Sequence, residues 1–313
     1  MEDFPLLERM LRNSSCEDTA KIVEAERFLR AHPEPKQVQG LELSLIRAIV
    51  ANASKARDSE LVRRSVAAYD SKTWQIALDY CKEGISRAEN LKPEIMLGTL
   101  CTDAGNCALN LAMRTNNLGV RHILLQNAVE YYTRAVKIAD ENGHGQTATF
   151  LFTYKADACK ELAEINNATQ RINWFVRAAD ELLEGAKRAY AFNQRHASRQ
   201  YSIASSYEYR AATLATKTPQ RQIELSKRAI EHAREAIRLN NSDRLYTARL
   251  YYDIGKYADF LYCVAENKED ARLALESYKT AIEQFKGFPS KKADLSIRAA
   301  QRVVALKIMV NQA

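Results

Sequence analysis

The hydrophobic and polar positions of this chain repeat in a helical pattern that occurs five times, at residues 77–85, 128–136, 178–186, 229–237 and 274–282. Successive copies begin about 50 residues apart. Each copy has Ala first, an acid third, a small residue eighth and usually a β-branched residue ninth. The first and eighth positions share one helix face, where small side chains let a neighbouring helix approach closely. An internal period of this kind indicates a stacked repeat.

Turn residues between these segments divide the rest of the chain into helices. The chain has only 10 Gly and 6 Pro in 313 residues, so few residues favour turns and long helices are expected. No strand-like alternation of hydrophobic and polar residues is found. A longer loop is expected around residues 116–119, where Asn-Asn-Leu-Gly precedes the second copy. The pattern predicts helix pairs at 59–70 with 73–90, 94–115 with 122–141, 146–166 with 169–192, 196–216 with 220–239 and 244–266 with 268–286, and a last helix at 290–310.

The repeated segment resembles the second helix of the tetratricopeptide repeat (TPR) family. Gly105 and Gly255, on the preceding helices, are similar to the glycine of the family's first helix. The chain departs from the family in length, because the TPR period is about 34 residues and both helices must here be longer. Three segments match parts of the family pattern of aromatic and Ala positions: Trp74-x-x-Ala77, Ala128-x-x-x-Tyr132-x-x-Ala135 and Ala274-x-x-x-Tyr278-x-x-Ala281.

The helix pairs and the resemblance together predict an all-α fold class, a right-handed α-solenoid of antiparallel helix pairs that forms a TPR-like superhelix. We expect an N-terminal helical cap or small bundle at residues 1–57. Five TPR-like helix pairs should follow at residues 58–289, and a C-terminal capping helix at residues 290–313.

The resemblance also implies that the first helix of each pair lines a concave groove that binds a peptide or helix of a partner protein. Lys160, Lys256 and Asn106 are similar to the Lys/Asn clamp with which some TPR proteins hold a peptide carboxylate. Reversing both lysines to Glu should then abolish binding without unfolding the chain. The groove positions that the resemblance marks include Asn106, Lys160, Tyr207, Tyr252 and Lys256.

A second hypothesis about function comes from the net charge of +7, which permits binding to nucleic acid or to an acidic partner without requiring it. The densest mixture of basic and aromatic residues lies at 187–201. Its cations are Lys187, Arg188, Arg195 and Arg199. The alternative function is therefore a nucleic-acid-binding helical repeat that uses this patch, although these residues can equally form a solvated face with tyrosines in the core.

We find no catalytic constellation and expect neither an enzyme, nor a metal site, nor a cofactor. Arg27 and His32 match the loose Arg/His spacing of a family of helical ribonucleases, but a match of this kind is expected by chance. Acids recur in successive repeats, too far apart at helix-packing distances to share one ion. We expect helix–helix hydrogen bonds or exposed charge for these four: Asp103, Asp157, Glu208 and Asp253.

The six cysteines fall within helical patterns and complete no zinc spacing, so they are expected to be free buried thiols in a reducing cytosol. The acidic start is unlike a signal peptide, and no apolar run is long enough for a transmembrane helix. A cytoplasmic protein with no membrane partner is expected.

The sequence thus predicts a non-enzymatic scaffold or adaptor that binds another protein. Nucleic acid is the alternative partner, and a basic groove for phosphopeptides, similar to that of 14-3-3 proteins, is a third hypothesis. Exposed Tyr and Ala faces on the early helices would also permit a homodimer.

Overall fold

The structure, a computed structural model, describes residues 74, 75, 78, 79, 81, 82, 85, 94–240 and 243–312. The separate residues between 74 and 85 are helical. The predicted N-terminal cap at 1–57 and the predicted helix at 59–70 lie outside these residues. From residue 94 onward the described helices are α1 Glu94–Arg114, α2 Leu118–Glu141, α3 Gly145–Ile165, α4 Ala168–Ala189, α5 Gln194–Leu214, α6 Pro219–Leu239, α7 Arg244–Ala265, α8 Lys268–Phe285 and α9 Pro289–Gln312.

Short polar side chains at the turns start most of these helices. An N-cap side chain that accepts a hydrogen bond from the first helical turn stabilises a helix by about 1 kcal/mol. At α6 the first residue is Pro219, whose missing N–H is no loss at a helix start. Bonds of the N-cap type are made by Asn117, Asn167, Asn193, Asp243 and Asn267.

The prediction of a longer loop at residues 116–119 is wrong. Helix α2 begins at Leu118 rather than at residue 122, so the turn is confined to the three residues before it. The side chain of Asn117 accepts a hydrogen bond from the Val120 N–H at 3.1 Å. This cap fixes the helix start early, and the extra residues before Ala128 form an additional helical turn.

The described helices pack in chain order. The chain divides into two compact units, Met1–His144 and Gly145–Ala313. Helix α1 packs on α2 in the first unit, and α3 to α9 pack consecutively in the second. No strand occurs within the described ranges, and within each unit the short turns require successive helices to run antiparallel. The predicted fold class, an all-α solenoid of antiparallel helix pairs, is confirmed. None of the described helices is both long and apolar enough to cross a membrane.

The small residues of the repeat lie at helix–helix contacts. A Cβ atom at Gly105 would be 2.6 Å from Cε1 of Tyr132, and one at Gly255 would be 2.8 Å from Cδ1 of Tyr278. In both units, the ring of the fifth repeat residue therefore fills the space that a glycine leaves on the preceding helix. The first and eighth repeat positions of α2, α4, α6 and α8 are all buried: Ala128, Ala135, Ala178, Gly185, Ala229, Ala236, Ala274 and Ala281.

The last helix, α9, packs against α8, with Ala299 and Leu306 fully buried. Arg302 on the same helix reaches back to α7. Its Nε and Nη2 atoms donate to the two carboxylate oxygens of Asp259 at 2.7 and 2.6 Å. This bidentate pair ties α9 to α7 in addition to the contact of α9 with α8.

Candidate functional site

Four of the five predicted groove residues lie on the first helices of the second unit. Lys160 is on α3, Tyr207 is on α5, and Tyr252 and Lys256 are on α7. We call the solvent-facing side of these three helices the first-helix surface. Asn106 lies on α1 in the other unit, where its side-chain oxygen accepts a hydrogen bond from the hydroxyl of Tyr132 on α2 at 2.9 Å.

Both lysines of the predicted clamp already have partners. Lys160 Nζ lies 2.5 Å from Oε1 of Glu161, its neighbour in the chain. The ammonium group of Lys256 lies 4.5 Å from the ring centroid of Tyr209 on α5, in cation–π geometry. A carboxylate ligand would have to share or displace these contacts.

The two tyrosines of the predicted groove are half-buried and bridge to second helices. The Tyr207 ring centroid is 5.9 Å from that of Phe175 on α4, and the Tyr252 ring centroid is 5.7 Å from that of Tyr278 on α8. Burial raises the pKa of both phenols, so both stay protonated at neutral pH. Each is therefore a neutral side chain that packs between a first and a second helix.

Two acids on the first-helix surface are at least partly exposed to water, yet the surrounding protein raises the pKa of both. Asp157 on α3 is exposed, yet burial raises its pKa against the opposing effect of Lys160. Asp253 on α7 is half-buried, and burial raises its pKa to about 6, against Arg249 and Lys256. In both carboxyls desolvation therefore outweighs the attraction of the neighbouring cations.

A separate cavity of about 1050 Å³ lies among the second helices α4, α6 and α8. We call it the second-helix groove. Its apolar lining includes Leu183, Ile230, Leu261 and Leu273. None of the predicted groove residues lines it. Its charged lining is balanced between five acids and five bases: Asp180, Glu184, Glu231, Glu235, Asp270, Lys187, Lys227, Arg228, Arg234 and Arg238.

Beneath this groove lies a buried carboxylate that holds α5 to α6. Glu208 has no exposed side-chain surface; its Oε1 is 2.8 Å from Arg228 Nε, and its Oε2 is 2.7 Å from His232 Nδ1. Arg228 also reaches α4, with its Nη2 donating to Asp180 Oδ1 at 2.6 Å. The expectation of helix–helix bonding is confirmed for Glu208. Its partners lie 20 and 24 residues away in the sequence, and no local signal identifies them.

The basic residues at 187–201 do not act as one group. Lys187 and Arg188 both lie beside Glu184, at 3.9 and 3.2 Å, and the Arg188 guanidinium covers the ring of Phe152 on α3. Arg195 and Arg199, on the first turns of α5, are exposed, and neither forms an ion pair among the described residues.

Exposed aromatic rings next to these two arginines were missed by sequence reasoning. Phe150 and Tyr154 on α3, and Phe192 in the turn before α5, are 47%, 41% and 42% exposed. Together with Arg195 and Arg199 they form what we call the aromatic–basic patch. The two α3 rings lie outside residues 187–201, so a search for basic and aromatic residues close together in the sequence could not find them.

The described residues show no cluster of three or more His, Cys, Asp or Glu side chains able to hold a metal ion. Cys81, Cys101, Cys107 and Cys159 are buried, as expected, whereas Cys263 is exposed. Burial raises the pKa of Cys159 to about 12. That cysteine is therefore a thiol at neutral pH and a poor nucleophile.

Comparison with known proteins gives no family. No protein-family model matches the chain, and no curated protein matches it. Among solved structures, BtubC (BKLC) from P. vanneervenii is 16% identical over 91% of this chain and 92% of that one, with a TM-score of 0.40. A circular tandem repeat protein with a novel repeat topology is 13% identical over 98% of this chain and 77% of that one, with a TM-score of 0.41. TM-scores this low carry no argument about fold or function.

Proposed function

We propose that the protein is a non-enzymatic interaction scaffold that binds a peptide or helix of a partner protein along its first-helix surface. The observation that supports this most directly is the pair of desolvated but water-accessible acids, Asp157 and Asp253. A cation of a ligand that paired with either carboxyl would offset the cost of ionising it, which the neighbouring Lys and Arg side chains only partly offset. Titratable groups shifted by desolvation are concentrated at functional sites.

The chemistry of this surface favours a partner segment with basic residues. Lys160 and Lys256 are engaged by Glu161 and by the Tyr209 ring. Burial, together with nearby Asp259, raises the pKa of Tyr209 to about 12. The pKa of both acids nevertheless stays raised despite these nearby cations, so further positive charge from a ligand would stabilise their ionised forms. A Lys or Arg of the partner can pair with Asp253 while its aliphatic stem covers Tyr252.

The packing of glycine against tyrosine supports the finer assignment to a TPR-like architecture. Gly105 with Tyr132, and Gly255 with Tyr278, repeat one contact between a first and a second helix in both units. We propose that this contact plays the role of the glycine–aromatic packing that the resemblance implies, in helices lengthened relative to the family.

A photo-crosslinking experiment tests the proposed binding surface. We expect p-benzoylphenylalanine at Tyr252 to capture a discrete protein from nuclease-treated cell extract, and the same probe at Lys279, exposed on α8, not to capture it. Asp157→Asn with Asp253→Asn should then weaken binding of the captured protein about tenfold, as expected for lost charge pairs at an interface. Equal capture at both positions would contradict the proposal.

Charge reversal of the two lysines separates the structural proposal from the clamp predicted by sequence. A clamp for a carboxylate requires that Lys160→Glu with Lys256→Glu abolishes binding. A basic partner segment requires binding to be retained or strengthened, because the reversal adds negative charge beside Asp157 and Asp253. Titration calorimetry with the captured partner distinguishes these signs, with Lys279→Glu as the control for general charge effects.

Asp253→Asn should stabilise the fold at neutral pH. The folded-state pKa of about 6 lies above the ordinary value of 3.8, so the folded state binds the proton more tightly. The unfolding free energy therefore falls as the pH rises from the ordinary pKa to the folded-state pKa, and it stays lowered at higher pH. The pKa shift corresponds to a gain in unfolding free energy of at most about 3 kcal/mol. Because the carboxyl is partly exposed to water, we expect a gain of about 1 kcal/mol.

Urea unfolding near pH 7 measures this gain, which should vanish well below the ordinary pKa of an aspartate. Asp294→Asn, at an exposed position on α9, is the matched control and should leave stability unchanged. A loss of stability for Asp253→Asn at neutral pH would show that the ionised carboxylate contributes favourable contacts instead.

A further inference from the structure

The aromatic–basic patch holds three of the five strongly exposed large hydrophobic side chains of helices α3 to α8 and their turns, and α9 carries four more: Ile297, Val304, Ile308 and Met309. Among the described residues between 145 and 288, the other large hydrophobic side chains that are strongly exposed are Tyr190 and Ile203, on the same turn and the same helix as the patch. Soluble proteins rarely gather exposed rings in one place without a ligand for them.

Direct contacts make the patch continuous across α3 and α5. The ring centroids of Phe150 and His196 are 5.1 Å apart, and Gln200 Nε2 donates to Thr153 Oγ1 at 3.0 Å. The two helices therefore run side by side here, with Phe150 and Tyr154 on one and Arg199 on the other. Burial, followed by the charge of Arg199, lowers the pKa of His196, so its ring is neutral at neutral pH.

The two stretches of sequence that carry the patch lack acids, and the nearest acid along α3 is Asp157, three residues beyond Tyr154. Residues 145–156 and 185–207 contain no Asp or Glu. Lys187 and Arg188 lie beside Glu184, so the charge available to a ligand is that of Arg195 and Arg199. The surface thus offers cations and ring faces with no competing carboxylate within either stretch.

We propose that the aromatic–basic patch binds single-stranded nucleic acid without sequence preference, with bases stacked on Phe150, Tyr154 and Phe192 and phosphates paired with Arg195 and Arg199. Stacking platforms beside cations are the means by which proteins hold unpaired strands, since every base has a face that can stack. A duplex hides those faces, and an acidic protein would use the arginines without using the rings. The patch shares α3 and α5 with the first-helix surface, and Tyr154 lies three residues before Asp157, but its five side chains are different from the groove residues and acids assigned to the peptide.

Fluorescence anisotropy with a labelled oligothymidylate of about 20 nucleotides tests the site in the full chain. Arg195→Glu with Arg199→Glu should weaken binding at least about tenfold at low salt and reduce the slope of log affinity against log salt by about 1.4, for two lost phosphate contacts. Phe150→Ala should weaken binding about tenfold with an unchanged salt slope, because it removes a stacked base and no charge.

The matched control is Arg272→Glu with Lys279→Glu, two exposed positions on α8 that change net charge equally. It should leave affinity almost unchanged. Phe192→Ala, at a turn outside any helix, repeats the stacking test if Phe150→Ala proves unfolded by circular dichroism. The proposal is overturned if oligothymidylate does not bind at low salt, if a duplex of equal length binds as tightly, or if a polyglutamate peptide competes as well as the oligonucleotide.

Discussion

Replacing Arg228 by methionine is expected to lower the free energy of unfolding by about 3 kcal/mol, because it leaves a buried carboxylate without its cation. Glu208 has no exposed side-chain surface, and the Arg228 guanidinium is its charged partner at 2.8 Å. His232 would remain at 2.7 Å from the carboxylate, but one ring nitrogen does not replace the guanidinium at the other carboxylate oxygen. Methionine keeps most of the length of the side chain, so the loss reports the charge rather than a cavity.

Urea unfolding followed by circular dichroism measures this effect, and Arg221→Met supplies the control. Arg221 pairs with Glu224 on the same helix, and both side chains are substantially exposed, so its loss should cost less than about 1 kcal/mol. Adding Glu208→Gln to Arg228→Met should recover part of the stability, since no buried charge then remains. Equal effects of Arg228→Met and Arg221→Met would mean that Glu208 is compensated by other groups.

Gly255→Ala is expected to destabilise the protein by about 1–2 kcal/mol. The added Cβ would lie 2.8–2.9 Å from three ring atoms of Tyr278, a ring that is almost fully buried. Overpacking of this kind costs about 1–3 kcal/mol, whereas alanine in place of glycine inside a helix gains at most about 1 kcal/mol. The steric cost therefore exceeds the gain in helix propensity.

Gly145→Ala is the matched control, because nothing lies within 4 Å of a Cβ at that position. It should be neutral or stabilise slightly, through reduced freedom of the unfolded chain. In a Tyr278→Leu background, Gly255→Ala should lose most of its cost, because the clashing ring is gone. Thermal melts of the four proteins separate these effects. If Gly255→Ala destabilised the Tyr278→Leu protein as much as the wild type, the clash would lie elsewhere in the α7–α8 contact.

Sequence reasoning succeeded where local chemistry decides the structure. Asn167, Asp243 and Pro219 start helices close to where the turn signals predict, since capping acts within one turn. The error at residues 116–119 has the same origin, because Asn117 was assigned to a loop although it caps a longer helix.

The candidate site was predicted less well, because it depends on contacts between helices. The repeat pattern assigned Lys160 and Lys256 to the proper helices but could not reveal that Glu161 and Tyr209 engage them. Similarly, the exposed ring of Phe150 belongs beside Arg199 only after α3 and α5 pack together. Such proximity arises from the tertiary fold and leaves no trace in the spacing of residues.

The consecutive packing of α3 to α9 determines how the second unit comes apart. No contact between distant parts of the sequence has to form before the others, so folding can start at any hairpin and spread to its neighbours. Opening should in turn progress from an end, with α9 detaching when its packing on α8 and the Arg302–Asp259 pair are lost together. The stability of this unit is therefore distributed along its length, and damage at one end can leave the hairpins farther along intact.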